Sequence, residues 1–261
     1  LSIHSFPTRR SSDLYKYIII DEYQDISVSR FNLIKEIKNK TNAKVMCVGD
    51  DWQSIYRFAG SDIVLFTKFK KYFGYSEILK IENTYRNSQE LVNIAGKFIM
   101  KNPKQLKKDL KSGKHHSNPL RILGYQKDSL TAIKNAIDEI VYAFGTEANI
   151  TILGRNNFDI DIIKDNNNLG FKLVKSRGQV IVKYDQYPHL RINYLTVHRS
   201  KGLEADNVII INLENKLLGF PNKIADDPIL SLVLTNVDGF AFAEEKRLFY
   251  RSEERRVGKE C

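Results

Sequence analysis

IIIDEYQD, at residues 18–25, joins three β-branched residues to two adjacent carboxylates, Asp21 and Glu22. The isoleucines predict a short buried strand, and the acids would lie at its carboxyl end, where open α/β sheets bind their ligands. There, one acid can hold Mg²⁺ while the next activates a water molecule for attack on a phosphate. A strand that ends in a solvated acidic turn explains the same letters equally well, so other parts of the sequence must decide.

Three further motifs follow in order. A predicted strand at residues 44–48 leads into VGDDWQSIYRFAG at 48–60, ENTYRNS lies at 82–88, and LTVHRSKGLEADNVII lies at 195–210. The four motifs resemble motifs II, III, IV and V of the superfamily 1A DNA helicases, the group that includes the bacterial repair helicases. Trp52, the KFIMKNPKQLKK stretch and the short gap before motif V are most similar to the helicase IV type. The resemblance covers roughly residues 15–250 and implies RecA-like α/β domains with parallel sheets.

The resemblance implies ATP and Mg²⁺ as cofactors. Asp21 matches the residue that coordinates Mg²⁺, and Glu22 matches the general base that acts on the attacking water. Gln53 matches the glutamine that senses the γ-phosphate and couples it to DNA. An exposed loop glutamine without a role is the alternative for Gln53.

Three residues of motifs IV and V match contacts to the same nucleotide. Arg86 matches the arginine finger, which in the family reaches across the interdomain cleft to the transferred phosphoryl group. Tyr85 matches the aromatic residue that stacks on adenine, and Glu204 matches the acid that bonds the ribose hydroxyls. The alternative for Tyr85 and Arg86 is an ordinary surface pair.

Four residues match contacts to single-stranded DNA. Tyr56 and Phe58 lie two apart, so on an extended loop they would share a face and could stack on bases. Core packing is the alternative for Phe58. His198 and Lys201 follow the motif V strand and should approach the DNA, although a lone histidine is more often structural.

The charge of the chain agrees with a nucleic-acid partner. The 261 residues carry a formal net charge of +10, and the stretch from Lys97 to Lys114 contains seven lysines against one acid, Asp109. A solvated basic face is the alternative, but in a chain with helicase motifs we predict phosphate contact. We predict no membrane span, and the two cysteines, Cys47 and Cys261, offer no disulfide framework, so a cytoplasmic location is expected.

The element pattern predicts two partial domains. Residues 15–80, with strands at 16–20 and 44–48 and a helix near 28–39, are predicted to be the C-terminal part of motor domain 1. Residues 81–250 are predicted to be motor domain 2, with little or no inserted subdomain. One predicted helix begins after a cap at Asn87, and a second predicted helix spans 129–144. The predicted strands of this domain lie at 120–124, 149–153, 171–175, 192–197 and 207–213.

Both ends are predicted to be foreign to the family. Residues 1–14 and 251–261 resemble translated sequencing-adapter sequence, and a pair of unusual natural tails is the alternative. EEKRLFY, at residues 244–250, resembles the start of motif VI, but the motif's arginine does not follow, and Arg251 should not replace it. No G-x-x-x-x-G-K-[ST] phosphate loop occurs in the sequence, so we expect an inactive helicase fragment.

The predicted parent is an ATP-dependent helicase that moves 3′ to 5′ on single-stranded DNA and unwinds duplex junctions. The alternatives are a repair or helicase–nuclease enzyme, a helicase-like ATPase that remodels RNA polymerase, and an inert binding module. Retained Tyr56, Phe58 and His198 argue against the RNA polymerase alternative.

Overall fold

The computed structural model describes residues 15–126, 128–165, 167–176, 178–224 and 239–253. Within these ranges the chain forms two compact units. The first unit comprises residues 15–78 and 239–241, and the second unit comprises the described residues of 79–224 and 242–253. The change of unit after Ile78 lies close to the boundary predicted after residue 80. The identification of the units with the two motor domains stays a prediction.

The first unit is built around two parallel strands that are joined by a helix. Its elements are β1 (Tyr17–Ile20), α1 (Val28–Thr41), β2 (Lys44–Cys47), α2 (Ile63–Thr67) and α3 (Phe69–Phe73). Helix α1 begins where the Ser27 hydroxyl accepts a hydrogen bond from the Arg30 amide at 3.4 Å, and it ends at Asn42, whose φ of 54° is left-handed. The predicted strands and helix are confirmed to within about two residues, the usual uncertainty of element ends.

The burial predicted for β1 is wrong on one face of the strand. Ile19 is 71% exposed, and Met46, which pairs with it across the ladder, is exposed as well. On the opposite face Ile20 packs against a buried cluster that contains Tyr23 and Phe31. A strand is buried on both faces only where other elements cover both, and the described part of the first unit covers one.

The second unit begins with a helix that lies in sequence between two short strands. β3 (Asn83–Thr84) pairs in parallel with β4 (Lys111–Ser112), and α4 (Gln89–Ile99) separates them. The cap predicted at Asn87 is wrong, because the Leu91 amide donates to Ser88 Oγ at 3.4 Å. Asn87 uses its backbone carbonyl to accept a hydrogen bond from Ser112 Oγ at 2.6 Å, which ties it to β4. Asparagine and serine are equally good caps, and tertiary contacts chose between them.

A five-stranded mixed sheet forms the centre of the second unit. Its strands are β5 (Asn149–Gly154), β6 (Phe171–Ser176), β7 (Gln179–Tyr184), β8 (Arg191–Thr196) and β9 (Asn207–Ile210), in the spatial order β6-β7-β8-β5-β9. β8, β5 and β9 run parallel, whereas β6, β7 and β8 pair in antiparallel fashion. The α/β class is confirmed. The strand β7 and the antiparallel edge were not predicted, and they occupy the region where a larger inserted subdomain was expected to be reduced or absent.

The strand predicted at residues 120–124 is wrong. These residues form no regular element, and Ile122 is 86% exposed. Alternation of apolar residues predicts a strand only where a neighbouring strand edge takes up its backbone hydrogen bonds. Among the described residues, β9 pairs with β5 and with no segment at 120–124.

Three helices complete the second unit: α5 (Ser129–Phe144), α6 (Ile162–Asp165) and α7 (Ala243–Glu253). α5 has the predicted bounds, and Asp128 Oδ1 caps it by accepting from the Leu130 and Thr131 amides, each at 3.1 Å. Its apolar stripe packs with Ile150 and Ile152 of β5 in one buried cluster. Each such aliphatic side chain contributes about 1.5–3 kcal/mol on burial. None of the helices in the described ranges is long and apolar enough to span a membrane.

Helix α7 continues past residue 250, where the sequence predicted a tail without a core. Arg251 and Ser252 are buried, and Ser252 Oγ donates to the Phe249 carbonyl at 2.6 Å. The structure therefore places residues 251–253 in a helix, contrary to that expectation. Residues 1–14 and 254–261 lie outside the described ranges, and the foreign origin of both ends stays a prediction.

Candidate functional site

The predicted catalytic acids lie directly after β1, at the carboxyl end of the parallel pair. Strand pairing continues one step beyond β1 and β2, because the Val48 amide donates to the Ile20 carbonyl at 2.8 Å and the Tyr23 amide donates to the Val48 carbonyl at 2.9 Å. Between these bonds the chain turns sharply at Glu22, whose φ of 50° is left-handed, and the Glu22 amide donates to Asp21 Oδ1 at 2.8 Å. Both acids are exposed at the edge where the loops after β1 and β2 meet.

Gln24, which the sequence analysis did not single out, joins these two loops. Its Nε2 donates to Glu22 Oε2 at 2.5 Å, and its Oε1 accepts from the Asp50 amide at 3.0 Å. Its backbone carbonyl accepts from Ser54 Oγ at 3.1 Å. Gln24 is only 1% exposed, and a buried amide is costly unless its donor and acceptor are both bonded. A polar amide two residues after a candidate catalytic acid was the signal in the sequence.

At Gly49 the backbone of the loop after β2 lies very close to Gln24. A Cβ atom at Gly49 would lie 2.4 Å from Gln24 Oε1 and 2.9 Å from the Phe66 ring. Real Cβ atoms do not approach so closely, so a side chain at Gly49 would displace Gln24 or the ring. The glycine therefore permits the contact between Gln24 and the loop after β2.

Gln53 lies on the 3-10 turn that follows β2. Asp50 caps this turn, because its Oδ1 accepts from the Trp52 amide at 2.8 Å and its Oδ2 accepts from Gln53 Nε2 at 3.0 Å. Asp51 and Trp52 are buried beneath the turn. The structure thus fixes the Gln53 amide beside Asp50, in the loop that Gln24 joins to Glu22.

Two titratable groups next to this edge have raised pKa values because they are buried. Burial raises the pKa of the Cys47 thiol to about 12, and it also raises the pKa of the Tyr23 hydroxyl above its ordinary value. Both groups therefore stay protonated at neutral pH. Cys47 therefore offers no thiolate nucleophile at neutral pH.

Asp21 fits the role of a magnesium ligand in the first unit. Its carboxylate is exposed, and Mg²⁺ usually binds proteins through one or two carboxylates while it keeps several waters and takes substrate phosphates. In the described ranges, no group of three or more His, Cys, Asp or Glu side chains is arranged to hold a metal ion.

Tyr56 and Phe58 lie together at the surface of the first unit. Their ring centroids are 5.8 Å apart, with an angle of 54° between the ring planes. Phe58 is 57% exposed, so core packing, which was its alternative, does not describe it. The two rings form an accessible aromatic pair of the kind on which bases can stack, and that role stays a prediction.

In the second unit, Arg86 and Glu204 form an ion pair with each other. Arg86 Nε lies 3.3 Å from Glu204 Oε1, and both side chains are largely exposed. Tyr85, the neighbour of Arg86, is 81% exposed. The sequence predicted that all three residues contact one nucleotide, and the structure brings Arg86 and Glu204 together across 118 positions of the sequence.

His198 and Lys201 lie in the turn that follows β8. The Ser200 amide donates to the Thr196 carbonyl at 3.0 Å, and the Lys201 amide donates to the His198 carbonyl at 3.3 Å. Ser200 is buried and its Oγ donates to the Val197 carbonyl at 2.7 Å, which anchors the turn, while His198 and Lys201 stay half-exposed. The turn thus presents one imidazole and one ammonium group at the carboxyl end of a parallel strand.

The lysine-rich stretch of the second unit is largely accessible. Two of its seven lysines, Lys108 and Lys114, are half-buried. The other five are exposed: Lys97, Lys101, Lys104, Lys107 and Lys111. Contact between these lysines and phosphates stays a prediction.

Two family models match this chain. Residues 7–74 match the UvrD/REP helicase N-terminal domain, and residues 182–252 match the UvrD-like helicase C-terminal domain. Together the matches cover more than half of the chain and contain three of the four motifs identified in the sequence. They begin and end inside the stretches 1–14 and 251–261, so they take in part of each end for which a foreign origin was predicted.

Several bacterial helicases are similar to this chain. DNA helicase IV of Escherichia coli (strain K12) is 31% identical over 249 residues, which cover 90% of this chain and 32% of that protein. The ATP-dependent DNA helicase Rep of Buchnera aphidicola subsp. Acyrthosiphon pisum (strain APS) is 31% identical over 57% of this chain and 23% of that protein. DNA helicase II of Haemophilus influenzae (strain ATCC 51907 / DSM 11121 / KW20 / Rd) is 30% identical over 60% of this chain and 22% of that protein.

The chain thus spans about a third of DNA helicase IV and less than a quarter of the other two relatives. The motifs at β1, β2 and β8, the two domain matches in their order and the similarity over nine-tenths of its length agree with one another. This chain belongs to the UvrD/REP helicase family.

Proposed function

We propose that this chain carries part of the ATP-hydrolysing and DNA-binding machinery of a helicase that moves 3′ to 5′ on single-stranded DNA and unwinds duplex junctions. The observation that carries the proposal is the edge of the first unit, where Asp21, Glu22 and Gln53 belong to two hydrogen-bonded loops after parallel strands. Acids at this place in α/β proteins serve phosphoryl chemistry. Because relatives are named ATP-dependent DNA helicases, ATP and DNA are the substrates to test.

The first unit supplies the groups that act on the attacked phosphate. Glu22 accepts the proton of the attacking water, because its carboxylate is exposed and held in one direction by Gln24. Asp21 holds Mg²⁺, which supplies positive charge to the phosphate oxygens when it is bound. Gln53 contacts the γ-phosphate with a side chain that Asp50 keeps in place.

The second unit supplies three further contacts to the nucleotide. Tyr85 offers an exposed ring for stacking on adenine, Glu204 accepts hydrogen bonds from the ribose hydroxyls, and Arg86 neutralises charge on the transferred phosphoryl group. The ion pair between Arg86 and Glu204 supports this assignment, since each side chain balances the charge of the other until the nucleotide takes up both.

DNA contact combines stacking with charge neutralisation. Tyr56 and Phe58 stack on bases, and this contact tolerates any sequence because every base has a π-face. His198 and Lys201 approach the backbone of the strand from the turn after β8. A motor that moves along DNA needs contacts of this kind, which do not depend on the base sequence.

The test uses the longest open reading frame in the source genome that encodes residues 15–250 of this sequence. We expect its product to hydrolyse ATP, with stimulation by single-stranded DNA, and we expect Glu22→Gln to lower the rate by about 10²–10⁴-fold. Glu36→Gln, a change of the same kind at an exposed position of α1, is the matched control and should leave the rate unchanged. Absence of DNA-stimulated ATPase from a folded product would overturn the proposal, and ATPase that ignores DNA would favour the alternative that acts on RNA polymerase.

A further inference from the structure

We propose that Gln24 is a positioning residue for ATP hydrolysis, which orients Glu22 and couples it to Gln53 through Asp50. The inference rests on the proposed function, because it gives Gln24 a part in that reaction. Gln24 lies within the motif at residues 18–25, but no role was predicted for it from the sequence.

The hydrogen bonds form one continuous chain in the first unit. Gln24 Nε2 donates to Glu22 Oε2 at 2.5 Å, and Gln24 Oε1 accepts from the Asp50 amide at 3.0 Å. Asp50 Oδ2 then accepts from Gln53 Nε2 at 3.0 Å. Two predicted catalytic residues, Glu22 and Gln53, are therefore separated by only two intervening residues, each of which bonds to the next.

The direction of the Gln24 amide is determined by chemistry. The Asp50 backbone N–H can only donate, so the group that faces it must be the carbonyl oxygen of the Gln24 amide. The –NH₂ end is then left facing Glu22, where it can donate to the carboxylate. Flipping the amide would set two donors against each other at Asp50, so the orientation that bonds Asp50 leaves a donor facing Glu22.

Glu22 gains a defined position from this contact. It lies at an exposed, left-handed turn, and an exposed glutamate ordinarily samples several rotamers. The bond to a side chain that is itself buried restricts Glu22 to the rotamers that reach Gln24. A general base acts efficiently only within hydrogen-bond reach of the water that it deprotonates, so this restriction bears directly on rate.

Close packing links the hydrogen bonds of Gln24 to the position of the loop after β2. A Cβ atom at Gly49 would lie 2.4 Å from Gln24 Oε1, so movement of that loop toward Gln24 must displace the Gln24 amide. Movement of Gln53, which Asp50 links to the same loop, therefore changes the position of Glu22. This provides a physical route from the predicted γ-phosphate sensor to the predicted base.

The first experiment measures the chain of hydrogen bonds in the purified 261-residue protein by ¹⁵N NMR. Glu22→Gln alters an exposed residue, and we expect it to shift the Gln24 side-chain NH₂ signals, the Asp50 amide signal and the Gln53 side-chain NH₂ signals. In a Gln24→Met background, the same change should no longer shift the Gln53 signals. Equal shifts with and without Gln24 would overturn the proposal.

The matched control is Gln105→Met, which removes another buried glutamine amide whose Oε1 accepts from Arg247 in the second unit at 3.1 Å. It should leave the response of Gln53 to Glu22→Gln intact. Should Gln24→Met fail to fold, Glu22→Gln alone decides, because unchanged Gln24 and Asp50 signals would exclude the contact.

The second experiment measures single-turnover ATP hydrolysis in the longer gene product. We expect Gln24→Met to lower the rate at least about tenfold with the KM for ATP unchanged, since a misplaced base loses part of its contribution of about 10²–10⁴-fold. In a Glu22→Gln background Gln24→Met should have no further effect. Equal losses in both backgrounds would reveal a merely structural role. If the unaltered product lacks ATPase, the proposed function fails, whereas the NMR result still decides whether the hydrogen-bonded chain exists.

Discussion

The first and second units contain similar apolar strands with very different burial. In β5 of the second unit, Ile152 is fully buried, with strands on both sides and α5 packed in the same cluster. In β1 of the first unit, Ile19 is largely exposed, because the described residues of that unit cover only the opposite face of the strand. β-branched residues therefore specified strands in both units, whereas the number of covering elements decided which strands became core.

The two units also differ in where their predicted functional residues lie relative to the buried core. The predicted catalytic acids, Asp21 and Glu22, follow strand β1, one face of which is exposed, and the buried Gln24 amide donates a hydrogen bond to Glu22. The second unit places its predicted ligands, Arg86 and Glu204, at the surface of a unit with a large buried cluster. In the first unit, hydrogen bonds between the loops after β1 and β2 position Glu22.

The largest expected effect concerns ATP hydrolysis at the predicted catalytic acids of the first unit. We expect the 261-residue protein to hydrolyse ATP negligibly, because its sequence contains no G-x-x-x-x-G-K-[ST] phosphate loop. Electrostatic elements of this kind each contribute roughly 10²–10⁵-fold to rate. A phosphate-release assay with and without single-stranded DNA provides the measurement. Robust activity that Glu22→Gln abolishes and Glu36→Gln preserves would contradict this expectation.

The second effect is a difference in stability between equivalent substitutions in the two units. Ile152→Ala should lower the free energy of unfolding by about 2–5 kcal/mol, since it leaves a cavity in the buried cluster. Ile19→Ala should cost less than about 1 kcal/mol, because its side chain is already exposed.

Urea unfolding followed by circular dichroism measures both variants. Trp52 is the single tryptophan and lies in the first unit, so its fluorescence reports the unfolding of that unit alone. Equal losses for the two variants would mean that β1 is covered in solution.

The third effect separates two kinds of DNA contact, one from each unit. Replacing Tyr56 and Phe58 with alanine should weaken binding of single-stranded DNA by roughly 1–3 kcal/mol per stacked base, with an unchanged salt dependence. Lys201→Ala should instead flatten the dependence of log K on log salt by about one phosphate contact.

Fluorescence anisotropy at several salt concentrations measures both terms. Tyr142→Ala, at an exposed tyrosine of α5 outside the predicted contacts, is the control for loss of a surface ring. A folded double aromatic variant that binds as tightly as the unaltered chain would exclude the stacking role.

The smallest effect concerns the end of α7 in the second unit. A chain that ends at Glu253 and a chain that ends at Tyr250 should differ in stability by about 1 kcal/mol, because the shorter chain loses the buried Arg251 and Ser252. Thermal unfolding of the two truncated chains measures this difference. Identical midpoints would support the original expectation that the sequence after residue 250 makes no contribution to the core.

Local sequence patterns predicted much of the first unit and the helices. α1 and α5 follow from apolar residues at helical spacing, and α5 was predicted at its observed bounds. The wrong assignments have different causes: the cap and the segment 120–124 depend on partners far away in sequence, whereas β7 pairs with the adjacent strand β6 and was missed locally. Asn87 lost the capping role to Ser88, the segment 120–124 found no strand edge, and β7 formed where no strand was expected.

The sequence by itself determined the strands β1 and β2, the acids that follow β1, the motif order and thereby the family, because these features are properties of short segments. Only the tertiary structure decided that one face of β1 stays open, that Gln24 connects Glu22 to Asp50, and that Arg86 pairs with Glu204. Burial and long-range hydrogen bonds depend on which elements meet in space, and the pattern of one segment contains no information about its distant partner.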